Sequence, residues 1–231
     1  MKTRDIRRRI SIIFLTLALS ICISPASLHA AEYDGEEAAR AARYNAELRR
    51  DGWLDMSSYG GLDCTNFVSH CLRAGGLTQH LPEGGAPRKK AYNTTDYWYL
   101  DKKGTANAWS TSWTVVTDLR SYMNGSTFSD SNGKASVTRY LFQNTPSGDN
   151  AFDKMLSTLN LGDVVQYDEN GYRHSVIITR KGNNKDACQY SCHTVDRMNE
   201  PMRRFCNYAK EHCELSWLPG FYSVYVIQMK R

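Results

Sequence analysis

The chain lacks long apolar runs. Beyond Ile10–Ile23, no stretch of the 231 residues is apolar enough to span a bilayer, so no transmembrane helix is expected past the first segment. It also lacks internal repeats and low-complexity tracts, which argues against solenoids and disordered tails. No phosphate-cradling glycine loop, no H-E-x-x-H and no C-x-x-C pair occurs, so nucleotide-binding loops and the common zinc frameworks find no footing. Asp153, Asp163, Asp168 and Glu169 do not stand at a spacing that suggests a metal site or a glycosidase carboxylate pair. Net charge is scarce too: of the formal +5, the first thirty residues account for +4, through Lys2, Arg4, Arg7, Arg8 and Arg9 against Asp5. A nearly neutral remainder gives no reason to expect nucleic acid as a partner.

Residues 1–30 have the layout of a secretory signal: a basic n-region, the apolar Ile10–Ile23 and a small-residue stretch from Pro25 to Ala31. Ile21 before Cys22 disfavours a lipid anchor, and the strongly apolar core fits the general secretory route better than a twin-arginine one. The expectation is cleavage near Ala30, a secreted or wall-associated protein, no membrane attachment afterwards, and a single domain over 31–231. Six cysteines remain after cleavage. If Cys64 is a free nucleophile, an odd number is left to pair. Cys188, Cys192, Cys206 and Cys213 fit two disulfides, free thiols or, with His193 and His212, a zinc set. The reading takes no metal and no cofactor.

Periodicity divides the domain in two. Glu36–Arg50 is alanine-rich, charged between the alanines and stopped by Gly52, which predicts a helix. Cys64–Ala74 predicts a second, with Asp63 as N-cap, Gly75-Gly76 as stop, and Phe67, Val68, Cys71 and Leu72 on the buried face. Leu77–Gly104 and Gly125–Gly133 read as loops. A helix is expected over Thr114–Met123 with Ser112 capping it and Trp109 and Trp113 paired on one helix face. Val137–Leu159 is ambiguous, while Val164–Tyr167, Ser175–Thr179, Gln189–His193 and Tyr222–Gln228 read as strands separated by turns such as Asn170-Gly171. Helices followed by an antiparallel meander indicate an α+β fold.

The chemistry concentrates at Cys64, in the run Asp63-Cys64-Thr65-Asn66-Phe67-Val68-Ser69 after Tyr59-Gly60-Gly61. A cysteine at a helix N-terminus is favoured as thiolate, and the unpaired N–H groups there can hold an oxyanion. Leu161-Gly162-Asp163-Val164-Val165-Gln166-Tyr167, followed by Arg173-His174-Ser175-Val176-Ile177-Ile178, supplies a histidine at a strand start, and imidazole titrates near neutrality. Cys71, seven residues on, is the packing cysteine. Trp98, Trp109, Trp113, Tyr97 and Tyr99 are split between core packing and lining a cleft.

These two motifs together resemble the putative amidase domain family of bacterial proteins, over about residues 33–228, and more distantly the NlpC/P60 and CHAP peptidases of the papain-like superfamily. The resemblance implies a papain-like α+β fold and a cysteine amidase or peptidase with a Cys64–His174 dyad. It further implies an orienting residue on the next strand, for which His193 is the candidate and Asp196 the alternative. Tyr59 becomes a candidate oxyanion or substrate contact, Asp63 a loop organiser and Trp113 a substrate-binding candidate; no glutamine shortly before Cys64 offers the papain oxyanion donor. Secretion directs the expectation to peptides or peptidoglycan-like substrates. A non-catalytic binding module and an acyl transferase on the same dyad are the competing readings.

Overall fold

The computed structural model describes residues 32–48, 53–86, 91–103, 106–125 and 135–231. The leader, the end of the first expected helix and all but the first residue of the Gly125–Gly133 loop lie outside the described residues. Chain order runs α1 (Gly35–Asn45), a 3-10 turn (Met56–Tyr59), α2 (Cys64–Ala74), β1 (Ala91–Tyr92), β2 (Leu100–Lys103), β3 (Ala106–Ser110), α3 (Thr111–Thr114) and α4 (Val116–Met123). It continues β4 (Ala135–Gln143), α5 (Pro146–Leu156), β5 (Val164–Glu169), β6 (Tyr172–Arg180), β7 (Gln189–Cys192), β8 (Arg197–Pro201), α6 (Met202–His212), β9 (Glu214–Leu215) and β10 (Leu218–Met229). The fold is α+β. Its main sheet has the order β4-β10-β5-β6-β7-β8 with β9 beside β10, every pairing antiparallel.

Unbroken apolar runs such as Val176-Ile177-Ile178 arise because both faces of this sheet are covered. Val164, Ile177 and Ile227 pack in one core with Phe67, Val68, Leu72 and Trp113 from the helices that precede the sheet. Val165, Val176, Ile178 and Val226 pack in the other with Phe152 and Leu156 of α5 and Phe205 and Ala209 of α6. Each such buried side chain contributes about 1.5–3 kcal/mol. Consecutive residues of one strand therefore serve opposite cores.

Two turns set the site's frame. Asn170 (φ 52°) and Gly171 (φ 81°) are both left-handed, the requirement of a two-residue hairpin, and they bring Tyr167 opposite His174. Gly162 enters β5 at φ +79°, where a Cβ would sit 2.6 Å from the Tyr33 hydroxyl oxygen and 2.8 Å from the Gly35 Cα. This glycine is where α1 presses on the sheet. Asp163 beside it accepts from the N–H groups of Asn160 (2.8 Å) and Met229 (3.1 Å), so the Gly-Asp pair is architectural.

Several expectations are corrected. Asp34 caps α1 through Glu36 N and Glu37 N, but the helix ends at Asn45, whose side chain donates to the Ala41 carbonyl and closes the last turn. Leu77–Gly104 is not a plain loop: Trp98, Tyr99 and Leu100 are buried, His80 bridges Trp98, and β2 joins β1 and β3 in a small sheet ordered β1-β3-β2. Trp109 lies on β3 rather than on a helix face with Trp113. Ser112 does not cap; its hydroxyl donates to the Tyr97 carbonyl. Val137–Leu159 resolves into β4 and α5, the helix opened by Thr145 and Pro146. Beyond the anticipated strands, β8 and α6 complete the sheet's edge and cover one face, with Met202 and Phe205 buried and Met198 exposed.

Candidate active site

Helix α2 begins at Cys64 as its sequence predicts. The expected face, Phe67, Val68, Cys71 and Leu72, is buried, and so are the polar residues between. Each of those polar residues has a partner, which is why the helix tolerates burial on all sides. The Thr65 and Ser175 hydroxyls lie 3.1 Å apart, and Ser69 Oγ donates to the Trp113 carbonyl (2.9 Å) while accepting from Trp98 Nε1 (3.1 Å). His70 Nε2 accepts from Leu54 N (3.3 Å) and its ring stacks on Trp53. Asn66 donates to the Leu54 carbonyl (2.5 Å) and to Asp63 (2.8 Å), and accepts from Trp113 Nε1 (2.9 Å). Trp113 is fully buried behind the helix, a supporting position with no surface left to line a cleft.

Asp63 occupies the N-cap position without a side-chain cap. Its carboxylate turns back instead, accepting from Met56 N (2.7 Å) and Asn66 Nδ2 on one oxygen and facing His193 Nδ1 at 2.5 Å on the other. The second His193 nitrogen donates to the Asn45 carbonyl (2.9 Å), the ring packs on Phe67 (centroids 4.1 Å apart), and the residue is buried. His193 thus ties β7 and the end of α1 to Asp63, the residue before Cys64. Among the described residues it makes no hydrogen bond to His174.

Cys64 is only 2% exposed, and that decides its protonation tendency. Burial pushes the thiol upward, against hydrogen bonds from the Ser175 N–H, the Thr65 hydroxyl and N–H, and the Thr194 hydroxyl, which pull it down. The net direction is upward, so desolvation outweighs the helix-terminus effect that the sequence suggests. The Thr65 hydroxyl stands 3.8 Å from the sulfur, and these groups together favour the thiolate without overcoming burial. Thr194 was not singled out from the sequence. Its hydroxyl also accepts from Asp63 N (3.1 Å), and its φ of 85° is strained for a β-branched residue. Backbone strain of this kind carries no sequence signature, and neither does a contact spanning 131 positions.

His174 is half-buried at the start of β6, its ring 5.7 Å from that of Tyr167. Burial, joined by the charge of Arg197, pulls it from 6.5 down to about 4. Alternation along β6 directs Ser175 to the α2 side and His174 to the side of Tyr167 and Phe205. Cys64 and His174 therefore meet at the Ser175 N–H without a hydrogen bond between their side chains. Tyr59 is exposed, its hydroxyl accepting from Asn107 (3.2 Å) and its ring set edge-on to Trp109. Asp196 lies exposed in the turn after His193.

Cys64, Cys71, Cys188, Cys192, Cys206 and Cys213 are all buried free thiols. Of the alternatives open for the late cysteines, the structure has the unpaired one. Among the described residues no group of three His, Cys, Asp or Glu side chains forms a metal-ligand set, and no helix is long and apolar enough to cross a membrane.

Comparison with known proteins adds a family and a relative. The family described as "Putative amidase domain" matches residues 32–216. An uncharacterized protein of Bacillus subtilis (strain 168), YhbB, is 28% identical over 153 residues, which is 65% of this chain and 38% of that protein. The chain thus spans well under half the length of this relative. No solved structure matches.

Proposed function

Because the chain belongs to the putative amidase domain family, we propose that it is a secreted, cysteine-dependent amide hydrolase of papain-like type that acts on cell-wall peptides. The observation that carries this reading is the set of donors around the Cys64 sulfur at the start of α2, one residue from His174. The buried thiols of Cys188 and Cys213, away from this site, each receive one such hydrogen bond, against four at Cys64.

In the resting site Cys64 is a thiol and His174 a neutral imidazole, since its value of about 4 leaves it unprotonated at neutral pH. On substrate binding the His174 side chain, at the first residues of β6, turns from the Tyr167 side toward the sulfur, since catalytic hydrogen bonds often form only in the complex. His174 takes the Cys64 proton as sulfur bonds to the amide carbon, and the Ser175, Thr65 and Thr194 donors hold the forming thiolate. The Cys64 N–H, free at the helix start, receives the oxyanion. The C–N bond then breaks as His174 returns the proton to the amine, and water hydrolyses the thioester. Asp63 and His193 fix the loop that precedes the nucleophile and act through it. The apolar leader and the superfamily resemblance direct the choice of wall peptides.

The test is mass spectrometry of wall fragments after incubation with wild-type protein or Cys64→Ala. New amine and carboxyl ends appear with the wild type alone. Equal digestion by both proteins removes Cys64 from the chemistry.

A further inference from the structure

Beside the cysteine lies a cavity of about 280 Å³. His174 and Thr194 belong to its lining, and Thr194 also hydrogen-bonds toward the Cys64 sulfur, so a group held here lies near a carbonyl placed at that sulfur. The rest of the lining is unusual in charge. Arg173, Arg197 and Arg204 contribute to it with Tyr172, Tyr208 and Leu62, and no aspartate or glutamate does.

Among the described residues, carboxylates pair with two of these three guanidinium groups and leave the third without one. Asp168 pairs with Arg173 (2.7 Å) but is shared with Arg120 (2.9 Å), and Glu200 approaches Arg197 only to 3.5 Å. Arg204 has no ion pair among the described residues. Asp196, in the turn that carries Val195 of the lining, is exposed and is not part of the wall. The charge of Arg197 reaches His174 and, after burial, helps to hold it in the neutral form. Arginine forks suit carboxylates, and tyrosine rings cover the apolar part of a peptide side chain.

We propose that this cavity binds a carboxylate of the substrate, so that the amide cleaved at Cys64 is one next to an acidic side chain or a free chain end. The inference rests on the hydrolase reading for its meaning in catalysis. Binding itself does not require turnover. The anion also offsets the repulsion that Arg197 exerts on a protonated His174, which couples substrate recognition to proton transfer.

The experiment titrates Cys64→Ala protein, followed by NMR, with three probes: N-acetyl-glutamate amide, N-acetyl-glutamine as free acid, and the neutral N-acetyl-glutamine amide. At least one anionic probe is expected to bind about tenfold more tightly than the neutral one, a typical gain for a charge-assisted pair. Which one does so distinguishes a side-chain carboxylate from a terminal one. Arg204→Gln and Arg197→Gln, each checked for an unchanged circular dichroism spectrum, are expected to bring the anionic probe toward the neutral value. Equal binding of all three probes, or a preference untouched in both arginine variants, overturns the proposal. If the preference is found but wall digestion does not depend on Cys64, the hydrolase reading fails and the anion site stands. If digestion depends on Cys64 and no probe is preferred, the anion site alone fails.

Discussion

Thr194 joins the parts of the site most economically: one hydroxyl accepts from the Asp63 N–H and donates to the Cys64 sulfur. Removing a donor that serves the developing charge should cost roughly 100-fold in kcat, by analogy with single oxyanion donors. Thr194→Ser should keep most activity and Thr194→Val should lose it, read in steady-state kinetics on a cleaved peptide. His174 sets the pH behaviour. Its folded value of about 4 lies below the ordinary 6.5, so between those values the unfolded chain binds the extra proton and stability falls as the solution is acidified. Melting temperature should decline from pH 6.5 to 4, less steeply in His174→Gln, and kcat/KM should hold to about pH 5 before dropping as His174 protonates near 4. At this scale the motif Asp63–Ser69 was legible, because cysteine chemistry demands a helix start and a nearby base. The role of Thr194 was not, since a hydroxyl in a turn gains it only when the fold folds the turn over the cysteine.

Helix α2 and the β5–β6 hairpin carry Cys64 and His174, the proposed pair, and both elements were legible because their signals are local: apolar spacing, a glycine stop, an Asn-Gly turn. The hub at Asp63 locks α2 to β7 and to the 3-10 turn through buried hydrogen bonds. Breaking a buried pair by removing one partner costs about 3–5 kcal/mol, so Asp63→Ala should lower unfolding free energy by that order in urea. The junction of α1 and β5 is as sensitive. Gly162→Ala combines a left-handed φ with contact against Tyr33 and Gly35, and should destabilise by about 1–3 kcal/mol in the same assay. The small sheet escaped sequence reading for a physical reason. Trp98, Tyr99 and Leu100 are buried by partners distant in sequence, within a polar stretch whose local pattern suggests a loop.

Across the described residues, helices on both faces of one antiparallel sheet explain how the fold buries the Cys64 thiol and still opens a cavity close to it. The α1–α4 side supplies Cys64, the sheet supplies the Ser175 N–H and His174, and the α6 side supplies the aromatic and basic wall. The α+β class followed from the order of periodicities alone, whereas the cavity depends on β8 and on α6, a helix missed in the sequence although Met202, Phe205, Cys206 and Ala209 stand at helical spacing. The account stands on covalent catalysis by Cys64. Its most direct test is intact-protein mass spectrometry of acid-quenched enzyme during turnover of a wall-peptide mixture. The account predicts an acyl adduct that maps to Cys64, decays as substrate is consumed, and is absent in Cys64→Ala together with hydrolysis. Sustained hydrolysis by Cys64→Ala, with no adduct on the wild-type protein, would contradict it.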